Sequence, residues 1–362
     1  MSEYNPINEQ FKKQYEEALV HGAYRAKQTV NAAWKAINLF EEFTGRMDFT
    51  TFNTEQAKGF KRWLETQKNK KGEPLSISTV RSTLANVREF FKWLAMHPQC
   101  IRKVDARAAM YLRLSNNDER ASRATRDAPV PTMDEIRQTL EKMPYETDVQ
   151  KRDRAIIAFT ALTAIRDDAL VTMKIKNVDI EKREIWQNPR NVRTKNRKSI
   201  TTCFMAFDPL WEDIFNDWYK YVTETLDFKA DDALFPKQLV KNNPEKMSFE
   251  AAGLSREHWA GAQTVRDIFK EAFISAGLPY YIPHSFRKTL VLWAMENCNQ
   301  YQFKAISQNI GHEQAVTSYN AYGKIAINDQ RKAVFSIEDN NLDLKGISNE
   351  DLVAELGRRT QK

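Results

Sequence analysis

Two of the five histidines in this chain, His284 and His312, fall with Arg287 in a single stretch, PHSFRKTLVLWAMENCNQYQFKAISQNIGHEQAVTSYNAYG, from Pro283 to Gly323. His284 and Arg287 stand at i and i+3, a spacing that sets imidazole and guanidinium side by side on a helix. Phe286, Leu290 and Trp293 mark a separate, apolar face. A second helical stretch, Gln302 to Asn309, stops at Gly311, and His312 follows directly. Beyond it two tyrosines, Tyr319 and Tyr322, sit in a polar segment with Asn320. Such groups suit a phosphate: a guanidinium presents a planar fork of donors, and an imidazole takes or gives a proton near neutrality. Each residue alone has an ordinary explanation, as a helix-start histidine, a solvated arginine, a loop histidine or a half-buried tyrosine. The ordered set carries more weight than its members.

The order H-x-x-R, then G-H, then Y resembles the tyrosine recombinase (phage integrase) family, whose members cut and rejoin DNA through a tyrosine. Two further parts of that pattern lie upstream. Thr163 to Leu170, TAIRDDAL, resembles the first box, a turn carrying an arginine followed by a helix, and Arg166 is the matching residue. The family often has an acidic residue three positions after this arginine, where this chain has Ala169, with Asp167 and Asp168 shifted forward. The family presents its lysine from a β-hairpin. Lys195 sits where that lysine precedes the turn, and Lys198 is its rival. Tyr322 lies ten residues after His312, one of the family's usual spacings, whereas Tyr319, at seven, is too near. Lys288 stands where the family often has histidine. The resemblance covers about residues 10–335 and implies the catalytic set Arg166, Lys195, His284, Arg287, His312 and Tyr322.

The chemistry implied is phosphodiester cleavage without metal, cofactor or ATP. Ionising a tyrosine of pKa near 10 at pH 7 costs roughly 4 kcal/mol, so cations must surround it. Arg166 and Arg287 would neutralise the non-bridging oxygens, with a geometry lysine cannot copy. His284 would take the tyrosine proton or donate to the phosphate, and His312 would donate to a non-bridging oxygen. Lys195 would protonate the leaving 5′ oxygen. Tyr322 would attack, giving a 3′-phosphotyrosyl intermediate that conserves the bond for rejoining.

The elements that must position these residues are mostly helical. Residues 8–115 show helical spacing over Thr29–Thr44, Thr54–Gln67 and Ser78–Met96, with a basic turn at Lys68–Gly72 and a stop at His97-Pro98. This first part resembles the SAM-like core-binding domain of the family. A linker is expected over 116–131, which lacks apolar periodicity and ends in two prolines. Thr132 to Glu135 reads as a capping box opening a catalytic domain over 132–335. Within it helices are expected over Lys151–Leu162, from Pro209 to Leu226 and over Ala262–Ala276. Short strands are expected at Val178–Ile180, Glu184–Gln187 and Ser199–Phe204. Residues 227–261 give no clear pattern. A tail, 336–362, holds a helix at Ser348–Leu356 that could dock on a neighbouring protomer or pack in cis. The fold class is therefore mainly α with a small β-sheet (α+β).

Composition sets the remaining bounds. Of 362 residues 42% are hydrophobic, enough for two or three cores. Residues 1–115 carry 19 Lys and Arg against 12 Asp and Glu, so the net charge of +7 resides in that third. A basic surface there favours a polyanion, chiefly nucleic acid. No eighteen-residue apolar run or signal sequence appears, which points to a cytoplasmic, nucleoid-associated protein without a membrane partner. Cys100, Cys203 and Cys298 form no CxxC pair and read as small buried hydrophobes, with no zinc or disulfide role. The resemblance implies double-stranded DNA recombination sites as partners, a homotetramer on DNA and accessory DNA-bending proteins. A type IB topoisomerase-like relaxing enzyme, or a DNA-binding protein that has lost catalysis, would carry much of the same pattern.

Overall fold

The computed structural model describes residues 4–123, 129–205, 207–243 and 248–311. It divides into two compact units, Met1–Arg126 and Asp127–Lys362. Among the described residues the fold is mostly helical with two small antiparallel sheets, and no helix is long and apolar enough to cross a membrane.

The first unit is built on α1 (Pro6–Glu17), α2 (Lys27–Phe43), α3 (Thr54–Thr66) and α4 (Ile77–Met96). Asn5, Asn53 and Ser76 cap α1, α3 and α4 through their side chains, as short polar residues before apolar-periodic runs should. Their inward faces supply Phe40, Phe60, Phe90 and Phe91 to an aromatic core that the connection from α2 to α3 completes with Phe49 and with Phe52, stacked on Phe91 at 3.7 Å. A polar knot lies beside it. Buried Glu41 accepts from Lys12 Nζ at 2.6 Å and from Asn8 Nδ2 at 2.9 Å, so each member satisfies another. The stretch read from sequence as a linker begins instead as helix α5 (Asn116–Arg123). No apolar stripe announces it. Ser115 starts it by accepting from Asp118 N–H, and Glu119 pairs with Arg81 of α4 at 2.9 Å.

The second unit opens with α6 (Met133–Lys142), where Thr132 and Glu135 form the reciprocal capping box that the sequence predicts. Next comes α7 (Asp148–Thr163), buried at every position from Ala155 to Thr163, which makes it the axis of the core. It ends at Ala164, held left-handed at φ 47. Arg166 follows as the residue before α8 (Asp167–Leu170). A three-stranded meander, β1 (Val178–Asp179), β2 (Glu184–Gln187) and β3 (Ile200–Cys203), pairs Ile185 with Val178 and with Thr202. Pro209 starts α9 (Pro209–Lys220), which runs into a π-turn over Tyr221–Thr225. The uninterpreted region contains a second hairpin, β4 (Gln238–Asn243) and β5 (Ser248–Leu254). Three helices complete the unit: α10 (Gln263–Ser275), α11 (Pro283–Asn297) and α12 (Gln300–Asn309).

The cysteines depart from expectation. Cys100 is buried, but Cys298 is half-buried and Cys203 exposed. Strand alternation explains Cys203: Thr202 turns inward on β3, so its neighbour must face out. The expected C-terminal helix, like the rest of 336–362, lies outside the described residues.

Candidate active site

Four segments of the second unit converge on the start of α11. Pro283 occupies the first helical position, where its fixed φ is pre-organised and its missing N–H is not needed. His284 is therefore in the first turn and solvent-exposed, although enough protein surrounds it to perturb its titration. Its pKa is held below the usual histidine value, first by desolvation and then by the charges of Arg287, Arg166 and Lys195, with Asp167 opposing them. The charges acting on it come from three segments: the helix carrying His284 and Arg287, the turn carrying Arg166 and the loop carrying Lys195. The imidazole is accordingly neutral at pH 7.

Arg287, one turn along, is not the solvated charge that a lone arginine suggests: it is 2% exposed. Its Nη1 donates to the carbonyl of Ala164, and its Nη2 donates to the carbonyl of Ile310 at 2.6 Å. The guanidinium thus ties the end of α7, two residues before Arg166, to the end of α12, two residues before His312.

Arg166 is half-buried, in extended backbone immediately before α8. Asp167 gives its carboxylate to Arg266 of α10, accepting from Nη2 at 2.6 Å and Nε at 3.1 Å. The turn that holds Arg166 is therefore anchored through its neighbour to α10. The sequence does not single out Arg266, because a lone arginine on an amphipathic helix carries no signal of its partner. Lys195 is exposed in the loop joining β2 to β3, and Lys198 is half-buried there.

Gly311 has two reasons to be glycine. Its φ is +79, and a Cβ would lie 3.0 Å from Ile200 Cδ1. Before it, Asn309 pairs with β3 as a strand would: its Oδ1 accepts from Cys203 N–H at 2.7 Å and its Nδ2 donates to the Cys203 carbonyl at 2.8 Å. Thr202 Oγ1 donates to the Asn309 carbonyl at 2.9 Å. The lysine hairpin and the G-H segment are thereby joined. His312, Tyr319 and Tyr322 lie outside the described residues, so the structure assembles four of the six sequence candidates.

The first unit carries a separate feature. A groove of about 850 Å³ is lined by Lys58, Lys61 and Arg62 of α3, Arg88 and Lys92 of α4, and Arg113, with Glu65 as its one acid. Lys58 lies 5.2 Å from the Tyr111 ring centroid, a cation–π contact at its rim. The basic excess read from the sequence is partly gathered into one concavity.

Residues 130–328 match the model described as "Phage integrase family", and residues 7–105 match "Phage integrase SAM-like domain". Tyrosine recombinase XerC of Lactobacillus delbrueckii subsp. bulgaricus is 27% identical over 251 residues, 68% of this chain and 72% of that protein. Among solved structures, a lambda integrase dimer bound to a COC′ core site superposes with a TM-score of 0.57 at 13% identity, covering 88% of this chain and 99% of that one. XerH recombinase bound to a palindromic difH substrate gives 0.56 at 16% identity, covering 89% and 83%. At these identities the superpositions speak for the fold.

Proposed function

This chain belongs to the phage integrase family, and we propose that it is a site-specific DNA recombinase that cleaves and rejoins DNA through a 3′-phosphotyrosyl intermediate, exchanging strands by way of a Holliday junction. The observation that supports this reading most is the gathering of Arg166, Lys195 and Arg287 around His284 from three separate parts of the second unit. A diffuse basic surface would attract DNA equally well. It would not bury one arginine against two backbone carbonyls beside a neutral histidine.

In this mechanism Arg166 and Arg287 hold the non-bridging oxygens of the scissile phosphate and offset the charge that grows as a fifth oxygen approaches. His284, neutral at pH 7, accepts the proton of the attacking phenol. The attack is by Tyr322, whose oxygen bonds to phosphorus while the bond to the 5′ oxygen breaks. Lys195 gives that oxygen its proton. His312 donates to a non-bridging oxygen. The first unit's cationic groove lends affinity for the duplex, and the active species is a homotetramer on two DNA sites.

The test is a nicked suicide duplex carrying the recombination site, incubated in EDTA with wild type, Tyr322→Phe and Tyr319→Phe. A covalent protein–DNA band from wild type and Tyr319→Phe but not Tyr322→Phe is expected. Tight binding to a verified site with no covalent species would replace this reading with that of a non-catalytic DNA-binding protein.

A further inference from the structure

Two positions before Lys195 stands Arg193, which the sequence gives no reason to notice. The loop from Asn188 to Ser199 joins β2 to β3. Its first half is folded on itself, with Asn191 and Val192 N–H donating to the Asn188 carbonyl at 3.1 and 2.8 Å and Val192 buried. At Arg193 the loop is fixed from two sides. Its backbone N–H donates to Thr172 Oγ1 at 2.9 Å, and its guanidinium donates to the carbonyls of Ala260 at 2.9 Å and Trp259 at 3.4 Å. The Thr172 hydroxyl proton points back to the Ala169 and Asp168 carbonyls at 3.1 and 3.2 Å, leaving its lone pairs for Arg193. Those two carbonyls belong to α8, the helix that begins right after Arg166. Trp259 and Ala260 lead into α10, whose Arg266 holds Asp167. Past Arg193 the backbone turns left-handed at Asn196 (φ 59) and Arg197 (φ 53), and Lys195 stands exposed between clamp and turn.

We propose that Arg193 is a positioning residue that sets the Lys195 loop against the Arg166 turn, so that the ammonium meets the departing oxygen. The inference rests on the reading of Lys195 as general acid. Arg193 itself touches no reacting atom. A lysine side chain has four rotatable bonds, and a loop released at residue 193 would spread its ammonium over many positions.

The chemistry supplies a readout that a merely structural role would not move. When the Tyr322 oxygen bonds to phosphorus and the bond to the 5′ oxygen breaks, the electron pair left on that oxygen takes a proton from Lys195. If sulfur replaces the bridging 5′ oxygen, the thiolate is a far weaker base and leaves without the proton. Nicked suicide duplexes with bridging oxygen or bridging sulfur are therefore compared on wild type, Lys195→Ala, Arg193→Ala and Thr172→Val. Lys195→Ala should lose at least about 100-fold on oxygen and recover most of that on sulfur. Arg193→Ala should lose about 5- to 30-fold on oxygen, the equivalent of one or two hydrogen bonds, and recover on sulfur, with DNA affinity unchanged by gel shift. Thr172→Val keeps the arginine and removes the other anchor, and should repeat the oxygen-specific defect should Arg193→Ala fold poorly. Equal slowing of both anchor variants on the two substrates, or wild-type rates on oxygen, overturns the proposal while leaving the recombinase reading intact. If wild type cleaves both substrates and sulfur fails to relieve Lys195→Ala, the general-acid assignment falls and the clamp with it.

Discussion

Arg287 ties two elements together and, in the proposed mechanism, also holds the phosphate, and one substitution tests both. The Arg287→Lys variant keeps the charge and most of the length but offers a single ammonium in place of a fork. In the folded chain that fork reaches two carbonyls on different elements, those of Ala164 and Ile310, from a side chain 2% exposed. A lysine serves one of them at best. The other is left buried without its charge-assisted donor, a loss of about 1–3 kcal/mol. Taking about 2 kcal/mol, a unit of this size should melt roughly 4–8 °C lower. Cleavage should fall much further, because the same change removes the second bond to a phosphate oxygen and lets the G-H segment drift from the Arg166 turn. The assay pairs a thermal melt without DNA with covalent-complex formation on the suicide duplex. An unchanged melt with lost cleavage would refute the argument, since the guanidinium would then act on phosphate alone and tie nothing together.

Other expectations follow from the same geometry. His284 has its pKa held below the usual value, so the acid limb of the cleavage pH profile should lie below about 6.5. Asp167 is the charge opposing that shift, and Asp167→Asn should move the limb lower still; an upward move would contradict the assignment. Gly311→Ala meets both a φ of +79 and Ile200 Cδ1 at 3.0 Å, and should lose about 1–2 kcal/mol along with cleavage. A denaturant midpoint equal to wild type would count against it. Burial raises the Asp153 carboxyl to about 6 despite its pairing with Arg152. The folded state then holds that proton more tightly than the unfolded one, so the stability linked to it is present below pH 4 and lost as pH rises toward 6. Wild type should lose up to about 3 kcal/mol relative to Asp153→Asn across that window, and a pH-independent difference between the two would show otherwise.

Much of this protein is legible in one dimension, because the signals are local. Thr132 and Glu135 form their capping box within four residues, Pro209 marks a helix start, and the spacing of Val80, Leu84, Val87, Phe91 and Leu94 forms one stripe of α4, as helical geometry requires. The ordered set from Arg166 to Tyr322 is equally a matter of spacing, and it carries the family resemblance without any tertiary contact. The helix at Asn116–Arg123 escaped because it has no apolar stripe and is held by Glu119 reaching Arg81, 38 positions away. Residue type alone suggests that Cys203 is buried, and the alternation of β3 turns it outward.

What the sequence alone determined is therefore the set of candidate groups, and the elements that bear four of them. What only the tertiary structure decided is how those groups are held. Arg287 spans 123 positions to reach the Ala164 carbonyl, Asp167 turns to Arg266 across 99, and Asn309 completes an edge strand 106 residues back. None of these partners has a period, a cap or a motif. Hydrogen bonds between distant segments depend on where folding puts the backbone, and a chain's pattern of residue types does not encode that position locally.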